Sequence, residues 1–359
     1  MDRELGQRLE KIEAVLDTWL PAAFDSGWAA RIFPGLFPAL GPIPVTPELL
    51  ASLARPCRDL LSRGGKRWRP LLMTLICETL GGGDAALPLS PLVEFCHNAS
   101  LIHDDIEDNS DQRRGAPAVH VLYGTDTAIN AGSFFYFLPL ACVEAWEVPA
   151  ERKARALGIW GDYMRRLHLG QAMDIHWHRD FDSLPALDAY YTMCGLKTGC
   201  LARLAAVLGV LAALPAPGAQ AGEAAERLGS AAEKLGVGFQ ILDDVKNLRT
   251  GLPGKKRGDD VVEGKKSLPV LLYLHGETGP RRALVSRCFS RARTGGVSVP
   301  EVEELIAALE AEGVVEQSLE QGQALIREAA ETFALPSIAG LPLGEEGRRL
   351  LAGLIGRIS

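Results

Sequence analysis

The sequence has little with which to build a cross-linked or metal-stapled scaffold. Its seven cysteines (Cys57, Cys77, Cys96, Cys142, Cys194, Cys200 and Cys288) are scattered and odd in number, and no two form a CxxC pair. Disulfide and zinc frameworks are thereby excluded, and a role as small core residues is expected. An excess of positive charge is also missing. The net charge is −7 and the isoelectric point is near 5.6, so a nucleic-acid partner has no general electrostatic support. No stretch reaches about 18 uninterrupted apolar residues, and no membrane span is expected. The opening MDRELGQRLEKIEAVLDTWL lacks the apolar core of a signal peptide, which makes the cytoplasm the expected compartment. Strand-like alternation and internal repeats are absent as well.

What the chain does have is material for a large core: 359 residues, 47% hydrophobic and 23% charged. Apolar residues recur at helical spacing almost throughout. Leu5, Leu9, Ile12, Leu16 and Leu20 form one stripe over 2–20. Further helices are expected near 48–62, 68–80, 90–108, 126–147, 150–179, 187–213, 221–248 and 267–277. Others follow near 279–293, 300–311 and 315–333, with a short one at the end. Breaks carry Gly and Pro, as in Gly64-Gly65, Gly81 to Gly83, Pro215 to Gly218 and Gly251 to Gly258. The expected fold is all-α, one domain of roughly a dozen helices over 1–359. Residues 1–47 serve as an N-terminal helix and Pro/Gly-rich lead-in, and 48–359 as the main bundle.

The most informative segment is HNASLIHDDIEDNSDQRRG, His97 to Gly115. On a helix, Asp104 and Asp108 lie four apart and share a face with His97 and Ser100. Two carboxylates one turn apart repel each other and gain nothing from a core. Hard oxygen ligands so spaced suit Mg²⁺ completed by waters and phosphate oxygens. Arg113 and Arg114 follow, and guanidinium groups match phosphate geometry. A solvated helix end is the plainer alternative, but it does not account for acids, arginine pair and apolar helix together.

In GFQILDDVKNL, Gly238 to Leu248, Gln240, Asp243 or Asp244, and Asn247 fall on one helical face. Alone this is an ordinary amphipathic helix. Beside the first acidic segment it reads as a second set of metal ligands across a shared cavity. Three basic elements accompany them. GGKRWRP places Lys66 and Arg69 ahead of a helix start that welcomes an anion. Lys197-Thr198 interrupts an apolar helix, where a lysine needs a partner. GKKRGDDVVEGKKSLP supplies Lys255 and Lys265.

In this order and spacing the segments resemble the trans-prenyl diphosphate synthases, the farnesyl and geranylgeranyl diphosphate synthases, from about Gly64 to Leu272. The carriers are GGKRxRP, DDxxD with RRG, GQxxD, KTG, FQxxDD and GKK. The resemblance implies the isoprenoid-synthase bundle with a central cavity, and condensation of an allylic diphosphate with isopentenyl diphosphate. It implies that Asp104 and Asp108 bind two Mg²⁺ ions and Asp243 a third. Arg113, Lys197, Thr198, Gln240, Lys255 and Lys265 would hold the allylic diphosphate; Lys66, Arg69, His97 and Arg114 would hold isopentenyl diphosphate. Gln171 and Asp174 would support the cleft. Catalytic duty falls to Asp104, Asp108, Arg113, Lys197, Asp243 and Lys255. A homodimer is implied, and the released diphosphate takes the final proton, so neither His97 nor His103 is cast as a base. Asn247 departs from members with a third Asp, and its amide oxygen could still orient a metal-bound water.

A class I terpene cyclase shares DDxxD, but its second motif would need a terminal carboxylate where Gly251 stands. It would also have no use for Lys66, Arg69 and Arg114. A head-to-head synthase would show two DxxxD motifs without GGKRxRP, and a non-catalytic partner subunit should have lost site residues. Product length is set, on this reading, by positions one turn before Asp104, since a helical turn of about 5.4 Å approximates an isoprene unit. Cys96, Ala99 and Ser100 are all small there, which points to geranylgeranyl diphosphate or longer. Close helix packing is the plainer explanation of the same residues. Growth would stop at Phe95 or at the run Phe134-Phe135-Tyr136-Phe137.

Overall fold

The computed structural model describes residues 1–34, 46–180, 184–214, 218–251, 256–275 and 279–358. The chain is a helical bundle. The Asp2–Trp19 helix buries Leu5, Ile12, Leu16 and Trp19 along one stripe. Thr46 caps the Pro47–Ser62 helix by accepting the Leu49 N–H, with proline at its first position. At the centre, Cys200–Ala213 is apolar except for Arg203 and buries Leu201, Leu204, Leu208 and Leu211. Each such leucine removed from water contributes about 1.5–3 kcal/mol. The Trp68–Thr79 helix lies so close to it that a Cβ on Gly209 would sit 2.5 Å from the Met73 carbonyl oxygen.

Around this centre stand the helices that frame the site: Ser90–Glu107, Ala150–Arg179 and Ala219–Arg249. The C-terminal helices Pro280–Gly295, Pro300–Ala311 and Val314–Ala334 follow, and Glu345–Ile358 closes the bundle. Ion pairs from Arg357 to Asp2 and from Arg349 to Glu4 tie the two ends of the chain together.

Three departures from the sequence reading have local causes. The segment 126–147 divides at Leu138-Pro139 into Thr125–Phe137 and Leu140–Ala145, because proline cannot continue the ladder. The segment 187–213 contains a π turn, Gly195–Gly199. Short elements, the helices Ser26–Ile32 and Asp259–Val262, carry too little periodicity to be legible. The segment near 267–277 is a helix over Leu268–Leu274, and 276–278 lie outside the described residues. The segments Thr125–Ala145 and Leu187–Ala213 are long and apolar enough to cross a membrane, yet 50% and 67% of their apolar windows are buried in the fold. Core helices have that property.

The π turn forms where three helices meet through glycines. A Cβ on Gly170 would lie 2.4 Å from the Lys197 nitrogen, and one on Gly236 would lie 2.8 Å from Gly199 Cα. Such turns recur at functional sites because the extra residue re-aims side chains. Here it presents Lys197 and Thr198 to the cavity. Gly170→Ala must push the Leu196-Lys197 backbone aside, at about 1–3 kcal/mol. A melting temperature lowered by about 2–5 °C is expected, together with loss of turnover as Lys197 moves. Unchanged melting and turnover would contradict the packing argument.

Candidate active site

One cavity of about 630 Å³ collects the polar residues of both acidic helices. Lining it are Lys66, Arg69, His97, Ser100, Asp104, Asp108, Arg113, Arg114, Gln171, Asp174, Lys197, Thr198, Gln240, Asp243 and Lys265. Lys255 falls outside the described residues.

On the acidic side, Lys197 Nζ donates to Asp174 Oδ2 at 2.5 Å and to Asp104 Oδ1 at 3.2 Å. Burial alone would lower the Lys197 pKa, but the facing carboxylates raise it, so the ammonium stays charged. Burial opposes the Asp104 charge, and Lys197, Arg113 and Gln171 outweigh it. The Gln171 amide donates to Asp104 at 2.8 Å and to Glu107 at 2.6 Å, linking helix Ala150–Arg179 to helix Ser90–Glu107. Arg113 lines the cavity but spends its guanidinium on Asp105, with Nε donating to Oδ1 at 2.8 Å. Asp105 is fully buried, so this pair offsets a charge the interior could not otherwise hold.

On the second helix the two aspartates part company. Asp244 is enclosed and receives Lys265 at 2.7 Å, Gln240 at 2.9 Å and the Tyr190 hydroxyl at 3.2 Å. Asp243 makes no hydrogen bond or ion pair among the described residues. Burial, with Asp244 beside it, pushes its pKa up to about 6. Of the two, which helical spacing leaves open, Asp243 is the carboxylate without a partner among the described residues. Asn247 does not share its face with the cavity: it is fully buried and bonds to backbone at Lys256 and Asp260. The expectation of a metal-directed amide is corrected on that geometry. The Thr198 hydroxyl donates to the Gln240 amide oxygen at 2.9 Å.

The basic side is built from strained backbone. Arg67 (φ 46°) and Arg114 (φ 54°) both lie in the left-handed region, which is costly for residues with a Cβ. Arg114 and Gly115 (φ 75°) are the central pair of a two-residue hairpin in which Arg113 pairs with Ala116. Gly65 leaves room for two guanidinium groups, since a Cβ there would lie 3.2 Å from nitrogens of both Arg67 and Arg114. Burial pulls the pKa of Arg69 and Arg114 down to about 10, and both remain cationic at neutral pH. Arg69 Nε is buried with no hydrogen-bond partner, as expected of a donor awaiting an anion. His97 is pressed far below the usual histidine range, first by burial and then by Arg69 and Arg114. Lys66 lies 5.0 Å over the Phe239 ring.

Sequence reasoning missed the counter-charge of this cluster. Glu94, buried at 2% exposure, accepts from Arg67 Nη1 and from the Asn98 amide, both at 2.9 Å. Asn98 Oδ1 in turn accepts from Arg114 at 3.1 Å. The available signal was a glutamate inside the apolar run SPLVEFCHNAS, which must be paired to be tolerated. Arg67 is also held by Glu13, at 2.8 Å, from the N-terminal helix.

A less polar lobe runs past Ser100 and Leu101 to Tyr136 and Leu167. The Tyr136 ring lies 5.7 Å from that of His103 and 5.3 Å from that of His168. Phe95 packs on Phe135 at 4.9 Å in the core and does not reach this lobe. Cys96 and Ala99 are fully buried behind the wall, where Cys96 Sγ receives the Trp160 indole N–H at 3.1 Å. Of the three small residues expected to set product length, only Ser100 lines the cavity.

A family model described as polyprenyl synthetase matches residues 51–308. The chain belongs to the polyprenyl synthetase family. It is 36% identical over 246 residues to a geranylfarnesyl diphosphate synthase of Aeropyrum pernix, covering 66% of this chain and 74% of that one. It is 35% identical over 235 residues to a geranylgeranyl diphosphate synthase of Methanosarcina mazei, covering 64% and 69%. Among solved structures, geranylgeranyl pyrophosphate synthetase from Pyrococcus horikoshii aligns over 99% of this chain and 97% of its own, with TM-score 0.78 and 26% identity. A decaprenyl diphosphate synthase from Rhodobacter capsulatus shares the fold at TM-score 0.75 and 23% identity. As a polyprenyl synthetase, the chain is a prenyltransferase of all-α architecture.

The isolated Asp243 has a measurable consequence. Its carboxyl is protonated below about pH 6 in the fold but only below 3.8 in the unfolded chain. Its contribution to stability is therefore full below about pH 4 and is lost as pH rises through 6. In chelator, Asp243→Asn should melt about 1–3 °C above wild type near neutral pH and level with it near pH 4. A variant no more stable than wild type near neutral pH would show that Asp243 is already compensated.

Proposed function

We propose that this polyprenyl synthetase condenses an allylic diphosphate with isopentenyl diphosphate in a Mg²⁺-dependent reaction, and that its product is geranylgeranyl diphosphate or longer. The observation that carries this reading is one cavity with ionised carboxylates on one side and unneutralised guanidinium groups on the other. Among the described residues no three His, Cys, Asp or Glu side chains group closely enough to hold a metal alone. Mg²⁺, which keeps waters and shares phosphate oxygens, fits such sparse carboxylates. Asp104 and Asp108 would hold two ions and Asp243 a third, which would relieve its buried charge. Bound there, the ions would supply Lewis-acid stabilisation of the departing diphosphate.

The protein's own groups divide the remaining work. Lys197, charged and already between Asp104 and Asp174, turns to the allylic diphosphate together with Thr198, Gln240 and Lys265. Fixed cations near developing negative charge stabilise the transition state without reorganisation. Lys66, Arg69 and Arg114 hold the second diphosphate, and neutral His97 can donate a hydrogen bond to it. Holding both substrates in one cavity turns a bimolecular encounter into a positioned one. Arg113 acts through Asp105, keeping the acidic helix end in place. Exposed Val121, Leu122, Ile129 and Phe137, on neighbouring helices, support a homodimer, and the cytoplasm is the proposed compartment.

The metal and charge assignment is tested by Asp104→Ala, which removes a charged ligand at the leaving group. Turnover should fall by several orders of magnitude. Near-normal rates in saturating Mg²⁺ would refute it.

For product length, Tyr136 with His168 forms the wall that the growing tail meets beyond Ser100. Ser100→Phe should shorten the main product, since the ring fills the space for the next unit, and Tyr136→Ala should lengthen it. Chromatography of dephosphorylated products decides the point: identical product spectra from both variants and wild type would remove the wall assignment.

A further inference from the structure

The helix Ala219–Arg249 ends against a segment, 256–265, that returns to it twice. Asn247 spends its whole side-chain amide and its backbone carbonyl on this segment. Its Nδ2 donates to the Lys256 carbonyl at 3.2 Å, its Oδ1 accepts the Asp260 N–H at 3.1 Å, and its backbone carbonyl accepts the Gly258 N–H at 3.1 Å. One turn earlier, Asp244 receives Lys265 at 2.7 Å, and Lys265 also reaches Asp260 at 3.5 Å. Gly258 is left-handed at φ 83°, and a Cβ there would meet Val302 Cγ1 at 2.8 Å. The segment thus has a single seat between the acidic helix and the Pro300–Ala311 helix.

We infer that Asn247 is a positioning residue, a clamp on the 256–260 backbone that sets where Lys265 stands in the cavity. It does not orient a metal-bound water. An asparagine suits the post because it donates to one backbone group and accepts from another at once. Aspartate has no donor when ionised and would set a carboxylate against the Lys256 carbonyl. Alanine would take the partner from both backbone groups and leave the buried Asp260 N–H unpaired, a cost that makes the segment open more often. The bearing on catalysis rests on the function proposed above for Lys265; the clamp itself does not.

The two alternatives separate in Asn247→Asp, with Asn247→Ala beside it. Amide hydrogen exchange, followed in chelator without substrate, should quicken about tenfold or more across 256–265 in both variants, while the other helices keep wild-type protection. With substrates and Mg²⁺ supplied, the KM for the allylic diphosphate should rise and the Mg²⁺ half-saturation should stay at its wild-type value. Gly258→Ala, which disturbs the same seat without altering the Asn247 side chain, should reproduce the pattern and covers the case in which Asn247 variants do not fold. Wild-type protection of 256–265 in Asn247→Asp, or a lower Mg²⁺ half-saturation than wild type, would overturn the inference. Because exchange is read without substrate or metal, it can fail or hold whatever becomes of the synthase reading.

Discussion

Charge cannot be gathered inside a protein without counter-charge, and this molecule is organised around that constraint. Nearly every ionised group at the cavity has its partner within the chain. Lys197 stands between Asp104 and Asp174, Arg113 answers Asp105, Lys265 answers Asp244, and Glu94 with Glu13 answers Arg67. What remains unanswered is informative. Asp243 is left on one side, and Arg69 and Arg114 are left with depressed pKa values on the other. A cation is wanted at the first place and an anion at the second, and under the proposed function a diphosphate carried with magnesium would supply both.

Backbone geometry makes this arrangement possible and bears part of its cost. Two of the arginines in the basic cluster occupy left-handed backbone, and the lysine of the acidic side sits in a π turn. Gly170, Gly199 and Gly236 let three helices approach closely enough for that turn to face the cavity. None of these features improves the core. They persist because the apolar helices around them, Cys200–Ala213 above all, hold the surrounding structure in place.

Much of the fold and the outline of the site could be read in the sequence, for a physical reason. A helix periodicity and a motif such as HDDIED are local, so spacing alone places Asp104 and Asp108 together. Helical spacing alone left Asp243 or Asp244, and only the family resemblance singled out Asp243, because two adjacent residues differ only in what the rest of the fold brings to them: Lys265 and Tyr190 come to Asp244. The roles of Glu94, Asn247 and the Arg113–Asp105 pair were hidden for the same reason. Each depends on a partner whose position is set by turns and caps. Likewise Phe95 and the run Phe134 to Phe137 stood as alternatives for the end of the tail lobe; packing turns Phe95 into the core, and of the run Tyr136 lines the cavity.

The central proposal is that the cavity would hold two diphosphates with magnesium and leave room for a long tail. The most direct measurement is product analysis of the wild-type enzyme given isopentenyl diphosphate with dimethylallyl, geranyl or farnesyl diphosphate in turn, with Mg²⁺ and with chelator. The account predicts elongation only with Mg²⁺, ending at geranylgeranyl diphosphate or beyond. Elongation in chelator, no elongated product from any starter, or farnesyl diphosphate as the end product would contradict it.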